Sequence, residues 1–206
     1  SDTTKEKRKL DWATFSPDTN VIYYAKEYNL YWMDRKNYEK AVKNEKDSTI
    51  VENQITKDGD QYYAWAGDEY STTTGDKKDE NEVKRKRVWM NWSPNGQYFT
   101  ITRKDNRNLN PLWVINNVGT TRPTLETYKY LMPGETDSTE TKLFLFKASD
   151  KTFKEIKVAA FKNQTLNTWN KSAEKSSYIG DYYMNYWLGN DSEFYLARSS
   201  RDLKRI

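Results

Sequence analysis

Trp12-Ala13-Thr14-Phe15-Ser16-Pro17-Asp18-Thr19-Asn20-Val21-Ile22-Tyr23-Tyr24-Ala25 returns later in the chain as Trp89-Met90-Asn91-Trp92-Ser93-Pro94-Asn95-Gly96-Gln97-Tyr98-Phe99-Thr100-Ile101-Thr102. In both copies an apolar segment runs into a Ser-Pro-Asp/Asn turn, where proline presets φ and the Asp or Asn side chain caps its own backbone. A second strand follows in each, Val21 to Ala25 and Tyr98 to Thr102. The spacing predicts a third strand as well, Asn29-Leu30-Tyr31-Trp32-Met33-Asp34 in the first copy and Pro111-Leu112-Trp113-Val114-Ile115-Asn116 in the second. Each unit is thus expected to be a meander of short antiparallel strands. A weaker copy leads from Tyr183-Met184-Asn185-Tyr186-Trp187 through Gly189-Asn190-Asp191 into Phe194-Tyr195-Leu196-Ala197. Copies at an irregular spacing of roughly 77 to 95 residues fit propeller blades with insertions better than a tight solenoid.

Between the copies, Lys142 to Lys147 and Phe153 to Val158 read as a hairpin joined by Ala148 to Thr152. Ser48 to Ile55 closes the first unit and runs into the turn signal Thr56-Lys57-Asp58-Gly59. The best helix candidate, Arg35 to Lys46, is short and charged, with only Tyr38, Ala41 and Val42 as an apolar stripe. Ser71 to Arg87 is polar and reads as a long exposed loop. The fold expected is all-β: a partial β-propeller of about three to four blades, each an antiparallel four-stranded meander, with long loop insertions. Residues 1–206 form one such region, with blades near 11–60, 88–160 and 178–206 and an insertion over 61–87.

Composition narrows the chemistry. The 16 Tyr, 8 Trp and 7 Phe supply much of the apolar surface in a chain that is 31% charged, so the core is built largely from rings, and rings suit pleated strands. At strand-alternating positions these rings read as core between blades rather than as a sugar-stacking platform. With no His and no Cys, neither a Ser/His/Asp nor a Cys/His machine can be assembled, and no zinc knuckle or disulfide framework is available. No catalytic residue, metal site or cofactor is assigned. The net charge of +4 is a small excess over a large total, and the basic run Lys84 to Arg87 follows the acids Asp79, Glu80 and Glu82. That pattern excludes a dedicated nucleic-acid surface and makes the run a solvated loop flank. No stretch approaches the length of a membrane span.

The order W-x-x-F/W-S-P-D/N, a strand, N-L-Y/W and then Gln54-Ile55-Thr56-Lys57-Asp58-Gly59 resembles the N-terminal propeller of the prolyl oligopeptidase class of serine peptidases. The tyrosine-rich connection from Arg122 to Glu135 is similar to that of the dipeptidyl peptidase IV branch, as is Tyr178-Ile179-Gly180-Asp181-Tyr182-Tyr183 followed by Tyr186-Trp187. The likeness covers most of residues 11 to 206. It implies an eight-bladed propeller followed by an α/β-hydrolase domain carrying Ser, Asp and His, which makes this chain a piece of a longer, periplasmic or extracellular protein.

In that family a pair of glutamates on a propeller insertion binds the free amino terminus of the substrate, and carboxylates suit an ammonium withdrawn from water. The matching stretch is Tyr62 to Tyr70. Trp65 fits the aromatic of the family pattern, consecutive glutamates are lacking, and Asp68-Glu69 is the nearest acidic pair. Arg103 and Arg198 stand at equivalent strand ends, where a charge facing water is the ordinary expectation. The resemblance implies a non-catalytic, substrate-gating and N-terminus-orienting region of a serine-type dipeptidyl peptidase, with peptide substrate and a downstream hydrolase domain as partners. The competing reading is a stand-alone propeller-like module that binds peptide or glycan. Unpaired blade edges would also allow self-association.

Overall fold

The computed structural model describes residues 11–66, 83–118, 121–158, 161, 163–167, 171–175, 182–184 and 187–204. In chain order the elements are β1 (Thr14–Phe15), β2 (Val21–Lys26), β3 (Asn29–Asp34), α1 (Arg35–Lys43), β4 (Asn53–Gln54), β5 (Asn91–Trp92), β6 (Tyr98–Asp105), β7 (Pro111–Asn116), β8 (Thr124–Lys129), β9 (Glu140–Lys147), β10 (Phe153–Glu155), β11 (Thr165–Asn167), β12 (Lys171–Lys175), β13 (Tyr182–Met184) and β14 (Ala197–Ser199). The all-β class expected from the sequence holds, with α1 the single helix among the described residues. The chain divides into two compact units, Ser1–Trp89 with Arg103–Thr139, and Met90–Thr102 with Glu140–Ile206.

The first unit is built on the antiparallel meander β1-β2-β3-β4. Ile22, Tyr23, Tyr24 and Ala25 of β2 are all buried, because a strand covered on both faces carries a continuous apolar run rather than an alternation. β2 and β3 pair in unbroken register from Val21↔Asp34 to Lys26↔Asn29. The two-residue loop between them places both Glu27 and Tyr28 at positive φ, 51° and 65°, the hairpin geometry whose twist matches that of the flanking strands.

Asp34 caps α1, its carboxylate accepting the Asn37 N–H at 2.7 Å. The helix stops at Lys43 rather than Lys46 because the Asn44 side-chain oxygen takes the Lys46 N–H at 3.1 Å, a local bond that competes with a further helical turn. Tyr38 and Ala41 turn inward and complete a core with Trp12, Ala13, Ile22, Tyr24 and Met33. Trp12 meets Tyr24 and Tyr38 edge to face, with ring centroids 5.2 and 5.9 Å apart, the arrangement favoured by the aromatic quadrupole.

The second unit centres on a four-stranded sheet in the order β10-β9-β6-β5. Its core is a run of rings: Trp92 against Phe99 at 4.7 Å, Phe99 stacked on Phe146 at 4.8 Å, and Phe146 stacked on Phe153 at 4.9 Å. The expected hairpin joining residues 142–147 to 153–158 is present as β9 and β10. The expected third strand is not. Residues 111–116 form β7 and pair along their whole length with β8, Pro111↔Lys129 to Asn116↔Thr124, while β9 takes the place beside β6. The backbone of β7 is paired by its sequence neighbour, so the β7-β8 hairpin interrupts the second meander. Near the chain end, Trp187 and Phe194 form the expected antiparallel bridge, closed around Gly189 at φ 81°.

The two Ser-Pro turns are built alike. Ser16 N–H donates to the Val21 carbonyl at 2.9 Å and Ser16 Oγ accepts the Val21 N–H at 3.0 Å. Ser93 makes the same pair of bonds with Tyr98, at 2.9 and 3.0 Å. The residue three positions on has positive φ in both, Thr19 at 60° and Gly96 at 68°.

Candidate functional site

The turn Thr56-Lys57-Asp58-Gly59 lies against the β2-β3 loop. Thr56 Oγ accepts the Leu30 N–H at 2.9 Å, and the buried Asn29 carboxamide oxygen accepts from the Thr56 hydroxyl at 3.2 Å and from the Gly59 N–H at 2.9 Å. A Cβ on Gly59 would stand 2.5 Å from the Tyr28 carbonyl oxygen and 2.8 Å from Asn29 Cγ. Glycine is therefore required here by close approach of backbone to backbone.

Asp58 is the hinge of a polar cluster. Its Oδ2 accepts from Arg103 Nη1 at 2.6 Å and its Oδ1 from Trp65 Nε1 at 3.0 Å. Arg103 Nη2 donates to the Asp58 carbonyl at 3.0 Å and also to the Tyr63 carbonyl. The guanidinium carbon lies 3.2 Å from the Tyr63 ring centroid and 4.3 Å from that of Trp65, and Arg107, paired with Asp105 at 2.7 Å, covers Tyr63 at 4.2 Å. Burial works against the Asp58 charge, but the bonds from Arg103 and Trp65 outweigh it and hold the carboxyl below the usual carboxylate range. Arg103 is fully buried (0% exposed) while the Asp58 side chain is half exposed. Burial lowers the basicity of the guanidinium, and the Asp58 bond opposes that shift.

This overturns the expectation of a water-facing charge at Arg103: the strand end is covered by Tyr63 and Trp65, and the cation is matched inside. Arg198 is only half-buried. The basic run departs in part from a solvated flank: Lys84 and Arg87 are exposed, Arg85 and Lys86 are not. Arg85 Nε donates to Glu52 at 2.7 Å with its guanidinium over Trp12 and Tyr24, and Glu52 also receives Lys26 Nζ at 2.7 Å and the Tyr24 hydroxyl at 2.8 Å. Lys86 and Ala25 exchange both backbone bonds at 2.8 Å.

The span from Gly67 to Glu82, including the candidate residues Asp68 and Glu69, lies outside the described residues. Its two approaches do not. Trp65 N–H donates to the Tyr28 carbonyl at 3.0 Å, and Lys86 bonds Ala25, so both reach the stretch Ala25–Tyr28. Trp65, the third candidate, is 1% exposed, and its indole donates to Asp58. The Asp58–Arg103 pair carried no motif, because its members lie 45 positions apart. The closeness of Asp58 to Gly59 in a turn signal was its only trace.

In the second unit, a cleft of about 660 Å³ is walled by Tyr98, Phe153, Trp187 and Phe194, with Lys147 and Asp191 at its polar edge. No cluster of potential metal ligands occurs among the described residues.

Over residues 1–206 the chain matches the family described as the dipeptidyl peptidase IV N-terminal region. The chain belongs to that family. No curated protein matches it. Among solved structures it is similar to the dipeptidyl peptidase 4 of Porphyromonas gingivalis, at 19% identity and TM-score 0.51 over 75% of this chain and 19% of that one. It is also similar to a putative dipeptidyl aminopeptidase IV from Bacteroides ovatus, at 12% identity and TM-score 0.46 over 77% of this chain and 18% of that one. The first likeness shows the fold, the partial-propeller class expected from the sequence. The chain spans about a fifth of the length of these structures.

Proposed function

We propose that this chain is the non-catalytic, substrate-gating and N-terminus-orienting region of a serine-type dipeptidyl peptidase of the periplasm or cell exterior. Peptide hydrolysis would belong to an α/β-hydrolase domain elsewhere in the protein, since no general base of the histidine type exists here. Asp68 and Glu69 would pair with the free ammonium of the peptide, so that cleavage falls a fixed distance along the chain, a positioning effect that lowers the entropic barrier. The observation that supports this is the fixed footing of the insertion, whose two approaches both bond the β2-β3 hairpin, one at Tyr28 of its loop and one at Ala25 of β2. The whole protein should release dipeptides from an unblocked Xaa-Pro chromogenic substrate and fail on the N-acetylated form. Asp68→Asn with Glu69→Gln should raise KM about tenfold or more with kcat little changed, the pattern of lost ground-state and transition-state binding alike. Equal KM values for the variant and the parent would refute the ammonium assignment.

The aromatic cleft of the second unit supports a second reading, a binding module for peptide or glycan. Micromolar binding on a glycan or peptide array that is lost in Phe153→Ala would establish it, and an unchanged array would dismiss it. Exposed apolar residues on one face of the β7-β8 hairpin, Trp113, Ile115 and Leu125, favour self-association, which sedimentation over a concentration series would detect.

A further inference from the structure

We propose that Arg103 is a positioning residue: its buried guanidinium, paired with Asp58, fixes the point at which the chain enters the insertion. The inference rests on the reading of that insertion as the holder of the substrate amino terminus. Its basis is the way one side chain ties together Asp58, Tyr63 and Trp65 on the approach. The guanidinium fork reaches the Asp58 carboxylate, the Asp58 carbonyl and the Tyr63 carbonyl, and its face lies on the rings of Tyr63 and Trp65. Asp58 passes the constraint on to the Trp65 indole, and the Trp65 backbone passes it on to the Tyr28 carbonyl. The opposite approach is tied separately, through Glu52 and Arg85.

A buried cation is a poor device for stability alone, because a hydrophobe of similar volume fills the same space without the cost of desolvation. Arg103 accepts a further cost, since its Nε is buried with no partner among the described residues. What the guanidinium supplies and a hydrophobe cannot is direction: a rigid planar fork satisfied by three acceptors in a single arrangement. The backbone from Asp58 to Trp65 is thereby held in one register against the β2-β3 loop.

The test uses the full-length protein and two variants, Arg103→Met, which keeps the volume, and Arg103→Lys, which keeps the charge without the fork. Amide exchange is followed at Trp65 and at Lys86, which bond Tyr28 and Ala25 respectively. In Arg103→Met the Trp65 amide should lose protection about tenfold or more while Lys86 keeps its own, and KM for the unblocked dipeptidyl substrate should rise with kcat within about twofold. Arg103→Lys should fall between Arg103→Met and the parent, and it carries the test if Arg103→Met fails to fold. Unchanged Trp65 protection in a folded variant would overturn the positioning role. So would lost protection with unchanged KM, provided that Asp68→Asn with Glu69→Gln raises KM. If that acid variant leaves KM unchanged, the ammonium reading alone falls, and Trp65 exchange then decides the role of Arg103 without reference to substrate.

Discussion

The two Ser-Pro turns share their backbone bonds and differ in where the carboxylate comes from. In the first, Asp18 sits two residues after Ser16 and accepts its hydroxyl at 2.5 Å, together with the Asn20 N–H at 3.2 Å. In the second that position is Asn95, and the carboxylate is Asp191, 96 positions away. Asp191 accepts from the Ser93 side chain, from the Asn95 N–H at 3.1 Å and from Asn95 Nδ2 at 2.8 Å. A change of Asp to Asn at one turn position thus converts a self-contained cap into a long-range tether, reinforced where Trp187 Nε1 reaches the Asn91 carbonyl at 3.4 Å. The cores differ in the same sense. The first sheet seals Trp12 with a helix immediately following β3, whereas the second stacks rings drawn from strands distant in sequence.

The largest effect that would sharpen this contrast is expected from Phe99→Ala. Phe99 is fully buried between Trp92 and Phe146, and its truncation should cost about 3 to 5 kcal/mol, read as a lowered guanidinium midpoint of the second unit. Tyr38→Ala should cost about 3 kcal/mol and expose Trp12, with a red shift in its emission. An unshifted spectrum would mean that α1 does not seal that ring.

Next come the tethers. Asp191→Asn should raise amide exchange across residues 187–194, whereas Asp18→Asn should affect only residues 16–21. Acid tests the same pair. Hydrogen bonds from Ser16 and Ser93 hold Asp18 and Asp191 below the usual carboxylate range. Groups whose folded pKa is depressed contribute stability that is present above about pH 4 and is lost as pH falls through the folded value. Lowering pH through the folded values should therefore loosen residues 187–194, while protonation of Asp18 stays a local event.

The smallest effect concerns the left-handed positions. Thr19→Gly should stabilise the first turn by about 1 kcal/mol, since a β-branched residue is strained at positive φ, and Gly96→Thr should weaken the second by about as much. A response at one turn and none at the other would show that the two backbones are not equivalent.

Legibility followed sequence distance. The Ser-Pro turns, the β2-β3 and β9-β10 hairpins, the short helix and the Trp187-Phe194 bridge all rest on signals within a few residues, and they could be read directly. The partner of β6 could not. Leu112 and Val114 present the alternation of a third strand, and nothing local reveals that Tyr128 and Glu126 stand opposite them. The paired motif tryptophans also diverge, with Trp12 8% and Trp89 72% exposed, because Tyr38 of α1 covers only the former. At the site, Trp65 was singled out from its place in the motif, and nothing in that motif reveals that its indole donates to Asp58. The buried partner of Asp58 was read as a surface charge, since a lone arginine at a strand end gives no hint of the rings above it.

The anchoring of Trp65 and Lys86 on a single hairpin, at Tyr28 and Ala25, has a consequence for how this region can vary. A span that starts and finishes at neighbouring points behaves as an exchangeable cassette: loop-closure entropy grows only with the logarithm of length, about 0.6 kcal/mol per doubling. Its length and composition can therefore drift between relatives, or be swapped by design, while the sheet beneath keeps its register.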